Sequence, residues 1–234
     1  MAEKPVSFII FDFNGTLEEG GELYPGVGDM LKELDKKHDY VFAIVSNGDS
    51  HEIRKMLAEE GLDKYFGDPR LDNTIFGYEE ISKATNGEGN KTDPRVLEAL
   101  LENVAPRYGD DKPSINYEQT VVVGDTSVEF LMAKRNGIGF VFVDVEHDPA
   151  TNAEKRDAKR TQDEKLFPIP ADIYSGYVDV NEDDIHQCRD IGVKQIRDIP
   201  VGIAKSIRAR HQGPSSSQTK NQSPSHDHDK GPDF

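Results

Sequence analysis

Asp12 stands at the end of the apolar run Phe8-Ile9-Ile10-Phe11 and opens the stretch Asp12-Phe13-Asn14-Gly15-Thr16-Leu17. A strand that runs into a carboxylate and then a Gly-Thr turn presents that carboxylate at the carboxyl edge of a sheet, where open α/β folds bind ligands. Three further stretches follow in the order a phosphoryl-transfer site requires. The apolar residues 40–45 end in Ser46-Asn47-Gly48, which sets a hydroxyl and a main-chain amide at a strand end. Lys91-Thr92-Asp93-Pro94 brings an ammonium group to the start of a helix, and residues 120–123 end in Gly124-Asp125-Thr126, with Glu129 one helical turn on. Each stretch alone has an ordinary structural explanation: a capped turn, a Ser-Asn-Gly turn, a surface lysine. Taken in order they set a carboxylate, a hydroxyl with a main-chain amide, an ammonium group and a further carboxylate pair at strand and helix ends, the groups from which a phosphoryl-transfer site could be built.

Together the four stretches resemble the haloacid dehalogenase superfamily of aspartate-nucleophile phosphatases, over about residues 5 to 145. The resemblance implies a magnesium-dependent phosphatase that forms an aspartyl-phosphate on Asp12. It assigns Asp12, Asn14 and Lys91 to the catalytic positions. Phe13, Gly15, Thr16, Ser46, Asn47 and Lys91 fall at the phosphate-binding ones, with Phe13 and Gly15 contributing main-chain amides. Asp12, Asp125, the main chain of Asn14 and Glu129 fall at the Mg²⁺ positions, Glu129 where the family more often has aspartate. Lys-Thr-Asp-Pro matches the family's Lys-Pro-Asp-Pro at all but its second position, and residues 124–138 are the longest match. Lys83 is a lesser alternative to Lys91.

One departure outweighs the agreements. Active family phosphatases carry a second carboxyl two residues after the nucleophile, where this chain has Asn14. That carboxyl protonates the leaving oxygen and later deprotonates the attacking water; an amide does neither, and such help is worth about 10²–10⁴ in rate. A slow or specialised enzyme, a catalytically silent phosphate- and metal-binding module, and a substitution introduced to arrest turnover all fit this residue.

Short apolar strands alternating with helical patterns predict a doubly wound parallel sheet of the Rossmann-like type. Strands are expected near 6–12, 40–46, 73–77, 119–124 and 139–144, and helices over 26–36, 51–60, 94–103 and 127–136, the last closed by Gly137. Family members acting on small metabolites commonly carry a cap domain after the first or third strand. Here residues 18–24 and 78–90 are too short to form one and are expected as loops, so the chain reads as capless. An uncovered site admits a phosphate on a large body, which puts a phosphorylated protein first among substrates and a small phosphate ester second.

Three segments are expected: a catalytic core over 1–145, an extension packed on it over 146–208 with a modest helical pattern at 181–199, and a polar, disordered tail over 209–234. A net charge of -16 opposes binding to nucleic acid. Neither a signal peptide nor a membrane-length apolar run is visible, so a cytoplasmic location without membrane association is expected, with a monomer favoured. The single cysteine, Cys188, has no basic neighbour and reads as a half-buried apolar position; His226 and His228 read as part of a solvated tail. Glu18, Glu19 and Glu22 place negative charge at the expected mouth and read as a solvated loop.

Overall fold

The computed structural model describes residues 3–37, 39–143 and 193–211. Its centre is β1 (Glu3–Phe11), flanked on one side by β2 (Tyr40–Val45) and on the other by β3 (Val121–Gly124). Outside these lie β4 (Ile75–Phe76), next to β2, and β5 (Gly139–Phe142), next to β3, all parallel. Spatial order thus reverses at β1, and that reversal opens a crevice at the carboxyl ends of β2, β1 and β3. The α/β, doubly wound class is as expected from the strand–helix alternation.

The register of β1 divides the interior. Ile9 pairs with Phe42 and Val121, and alternate residues along the strand point to opposite faces. Ile9 and Phe11 join one core with Leu31 of α1 (Val27–Lys37), Leu57 of α2 (Ser50–Glu59) and Ile203 of α6 (Ile199–His211). Phe8 and Ile10 join the other with Ile81 of α3 (Tyr78–Ala84), Leu97 of α4 (Pro94–Val104) and Met132 of α5 (Ser127–Asn136). A strand buried on both faces needs an unbroken apolar run, which Phe8-Ile9-Ile10-Phe11 provides.

Four features differ from expectation or go beyond it. A parallel strand over Lys112–Ile115 pairs with the first part of β1, matching Val6 to Ile115, before β3 takes over that flank. Its sequence Lys-Pro-Ser-Ile carries no apolar alternation, and none of it is fully buried. Residues 18–24, expected as a loop, hold a hairpin that pairs Glu18 with Leu23 and Glu19 with Glu22. Gly20 and Gly21 take its turn at φ 68° and 91°, the positive values that favour glycine in a two-residue hairpin. Within 78–90, also expected as a loop, α3 begins at a Glu80 carboxylate that accepts from the Gly77 amide at 2.9 Å.

The fourth is α6, which starts where the expected 181–199 pattern ends. It runs through His211, so the boundary drawn at 208 falls inside a helix. It packs against β5, with Gly202 allowing close approach: a side chain there would meet Val141 at 2.9 Å and Val193 at 3.0 Å. Cys188, His226, His228 and most of the 146–208 extension lie outside the described residues. Among the described residues, no helix is long and apolar enough to cross a membrane. In the two connections where family caps are inserted, the described residues form only the hairpin and α3.

Candidate active site

Ser46, Asp12 and Asp125 are the first residues beyond the ends of three adjacent strands, β2, β1 and β3, so strand pairing alone brings them to one edge. The Asp12 amide continues the β1–β3 ladder, donating to the Val123 carbonyl at 2.9 Å, while its side chain is buried. Lys91 arrives from the opposite end of a turn and sets Nζ 3.0 Å from Asp12 Oδ1. Its own placement is local chemistry. Asn90 Oδ1 accepts from both the amide and the hydroxyl of Thr92, bracketing Lys91, and Asp93 caps α4 through the Arg95 amide with Pro94 at the helix start. Lys91 and Glu129 are also in direct ionic contact. Lys83, the alternative lysine, is exposed on α3.

Glu129 reaches that contact because it belongs to a capping box. Thr126 is the N-cap of α5, and Glu129 Oε2 accepts from the Thr126 amide at 3.0 Å. The same motif explains why Gly124 closes β3: a side chain on it would collide with Glu129. Glu129 is thereby fixed with one oxygen on the helix and the other on Lys91. The Thr-x-x-Glu spacing of a capping box is the sequence signal that places Glu129 there.

Asp125 is held from the first motif. Thr16, fully buried, donates from Oγ1 to Asp125 Oδ1 at 3.1 Å. Gly15 sits at φ 83°, and any side chain on it would strike the Asp125 carboxylate. The expectation of a free Gly15 amide for phosphate is not met: that amide donates to the Glu18 carbonyl at 2.7 Å inside the turn. Phe13 is buried in the core, and its carbonyl receives the amides of Thr16, Leu17 and Glu18. The Thr16 hydroxyl, expected at the phosphate, is therefore directed to Asp125.

At the third strand end, Ser46 is buried with Oγ accepting from the Gly48 amide at 3.2 Å, and Asn47 is exposed. Ser46 Oγ lies 3.5 Å from Asn14 Oδ1. Asn14 is exposed at the mouth, and its Nδ2 donates to Glu18 Oε2 at 2.6 Å. Glu18 is not the solvated residue its charge suggested. It is 3% exposed, with its other carboxylate oxygen on the Gly21 amide. The Gly20-Gly21 pair signals the turn, but nothing in the sequence separates Glu18 from Glu19 and Glu22.

The electrostatics follow from burial and crowding. One oxygen each of Asp12, Asp125 and Glu129 lie within 4.8 Å of one another. Burial pushes the Asp12 carboxyl up to about 7, against the lowering pull of Lys91 and with further upward pressure from Glu129 and Asp125. Burial, then Glu129, raises Asp125 to about 6, with the Thr16 hydroxyl and Lys91 opposing. Burial disfavours the Lys91 ammonium, but Asp12 and Glu129 more than offset it and its pKa rises. When all three carboxyls are ionised, one ammonium leaves two negative charges uncompensated. A divalent cation with a preference for oxygen ligands cancels that imbalance, and the donor set fits Mg²⁺.

A family model described as haloacid dehalogenase-like hydrolase matches residues 8–137, from inside β1 to the cap of α5. The chain belongs to the haloacid dehalogenase-like hydrolases. A phosphoserine phosphatase of Methanocaldococcus jannaschii is 31% identical over 123 residues, which cover 50% of this chain and 50% of that protein. The chain thus spans about half the length of the curated relative it matches. Among solved structures, a subfamily IA hydrolase of the superfamily from Geobacter sulfurreducens aligns with a TM-score of 0.43 and 16% identity, covering 59% of this chain and 89% of the other. A conserved haloacid dehalogenase-like protein of unknown function from Agrobacterium tumefaciens aligns with a TM-score of 0.43 and 19% identity, covering 79% and 61%.

Proposed function

We propose that this hydrolase is a magnesium-dependent phosphatase in which Asp12 attacks phosphorus, the ester P–O bond breaks with the leaving oxygen taking its proton from solvent, and the aspartyl-phosphate so formed is then released by water. The observation that carries the reading is Lys91 Nζ, buried and 3.0 Å from Asp12 Oδ1, inside a cluster of three carboxylates at a sheet's carboxyl edge. A lysine so placed neutralises the nucleophile's charge and offers a cation to the incoming phosphoryl oxygens. Ser46 Oγ, with the Asn47 amide beside it, donates to those oxygens. Thr16 holds Asp125 in place, and Asp12, Asp125, Glu129 and the Asn14 carbonyl are the candidate ligands. Mg²⁺, when bound, supplies positive charge that screens the carboxylates from an anionic substrate and aligns the reacting oxygens.

The substrate class is a phosphate monoester. The likeness to a phosphoserine phosphatase supports a phosphoserine unit, and the small hairpin and α3 at the mouth favour one displayed on a protein. Hydrolysis of para-nitrophenyl phosphate with and without Mg²⁺, followed by trapping of labelled protein in acid, tests the mechanism. Activity that survives EDTA or Asp12→Ala would overturn it. Comparison of phosphoserine with a phosphoserine peptide then decides between free and protein-borne substrate.

A second reading rests on Asn14. With an amide where the family has its acid and base, the same pocket serves as a phosphate- and metal-binding module without turnover. Binding of beryllofluoride with Mg²⁺, measured as a rise in Tm, together with undetectable hydrolysis of both esters, would favour the module.

A further inference from the structure

We propose that Glu18 is a positioning residue that fixes the Asn14 side chain with its nitrogen turned out of the site and its oxygen turned toward Ser46, so that Asn14 serves the phosphoryl site as a hydrogen-bond acceptor. This rests on the phosphatase reading and assigns a role to the residue that replaces the family's acid and base.

The orientation follows from what each group can donate. A carboxylate only accepts hydrogen bonds, and an amide has one donating and one accepting end. Glu18 Oε2 at 2.6 Å therefore selects Nδ2 of Asn14, which leaves Oδ1 facing Ser46 Oγ at 3.5 Å. Glu18 is itself held: it is 3% exposed, its second oxygen takes the Gly21 amide, and it pairs with Leu23 in the hairpin. A buried carboxylate on a tight hairpin is a rigid reference, whereas Asn14 is exposed and would otherwise turn freely. Ser46 Oγ already accepts from Gly48, which leaves its proton for Asn14 Oδ1. When a phosphoryl group takes the Ser46 proton, Asn14 Oδ1 becomes available to a water aimed at phospho-Asp12. It orients that water without removing its proton, which passes to a phosphoryl oxygen as the new P–O bond forms, the bond to Asp12 breaks and Asp12 departs as a carboxylate.

Glu18→Gln tests this without changing shape. Glutamine has one accepting oxygen for two donors, Gly21 N and Asn14 Nδ2. Keeping the first turns its own amide toward Asn14 and reverses the Asn14 side chain. Loss of one orienting contact predicts a fall in kcat for para-nitrophenyl phosphate of about tenfold with KM within about twofold. In an Asn14→Ala background the same change should cost nothing further, because the contact is already gone. Equal losses in both backgrounds would show that Glu18 only braces the hairpin, and an unchanged kcat in the Asn14 protein would equally overturn the proposal. The orientation is read separately by 15N NMR of the Asn14 side-chain amide. In the unaltered protein one of its protons should be shifted downfield and slowed in exchange, as for a donor to a carboxylate. An ordinary, freely exchanging pair would overturn the proposal even if Glu18→Gln failed to fold. Absence of all turnover in the unaltered protein would refute the phosphatase reading, while the NMR signature would still decide the orientation.

Discussion

Thr16 Oγ1 donates to Asp125 Oδ1 at 3.1 Å and so ties the turn after β1 to the end of β3, a link between residues 109 positions apart. Thr16 is fully buried. Thr16→Val, similar in shape, should lower stability by about 1.5–3 kcal/mol, the range for a hydrogen bond to a charged group. Mg²⁺ affinity should weaken as Asp125 loses its orienting contact. Urea denaturation and a Mg²⁺ titration of Tm would check both, and unchanged values would mean the bond contributes nothing net.

Removal of Lys91 should be more damaging. Its ammonium is the buried countercharge of Asp12 and Glu129, and breaking such a pair leaves carboxylates uncompensated, typically at a cost of about 3–5 kcal/mol. Lys91→Met is therefore expected to melt well below the parent in EDTA and to regain part of that loss in millimolar Mg²⁺. No recovery with Mg²⁺ would argue against the cation site.

The pH dependence has a definite sign. Asp12 and Asp125 both have folded values, about 7 and about 6, above their ordinary 3.8. Between those limits the folded protein binds more protons than the unfolded chain, so the site's contribution to stability is greatest below about pH 4 and declines until about pH 7. In EDTA, Asp125→Asn should be more stable than the parent at pH 7.5, with the advantage shrinking at pH 5. With Mg²⁺ the parent should gain more at pH 7.5 than at pH 5, because the ligands must shed protons to bind. An Asp125→Asn advantage that is independent of pH would contradict this.

Asn14→Asp restores the family's carboxyl and places it against Glu18. Turnover of para-nitrophenyl phosphate should rise by about 10²–10⁴. A gain below about tenfold would show that the amide was not the limiting group.

Much of the fold was legible because its evidence is local and apolar. Phe8-Ile9-Ile10-Phe11 and Val121-Val122-Val123 are short apolar runs closed by turn residues and read as strands covered on both faces, and Pro94 and Gly137 mark a helix start and a helix end where the structure has them. The segments that escaped are short or take their stability from distant partners. Lys112–Ile115 is a strand only because β1 offers it an edge, and α3 is held by Ile81 in the core and by Glu80, which accepts from the Gly77 amide and the Ser50 hydroxyl. At the site, the strand-end residues could be named from their positions. What each side chain touches was not legible. Glu18 and Glu19 are adjacent and chemically identical, yet the hairpin buries the first and leaves the second partly exposed.

Strand order also fixes when the site can come into being. Ile9 finds Phe42 after a short stretch of chain, but its other neighbour, Val121, is more than a hundred residues away. Closing that loop is the slow, entropically costly event. Until it happens, Asp12 and Asp125 remain apart and hydrated, and their repulsion does not oppose the early β1–β2 pairing. During synthesis the charged centre can therefore assemble only after β3 has left the ribosome, when β1 and β2 are already available to pair.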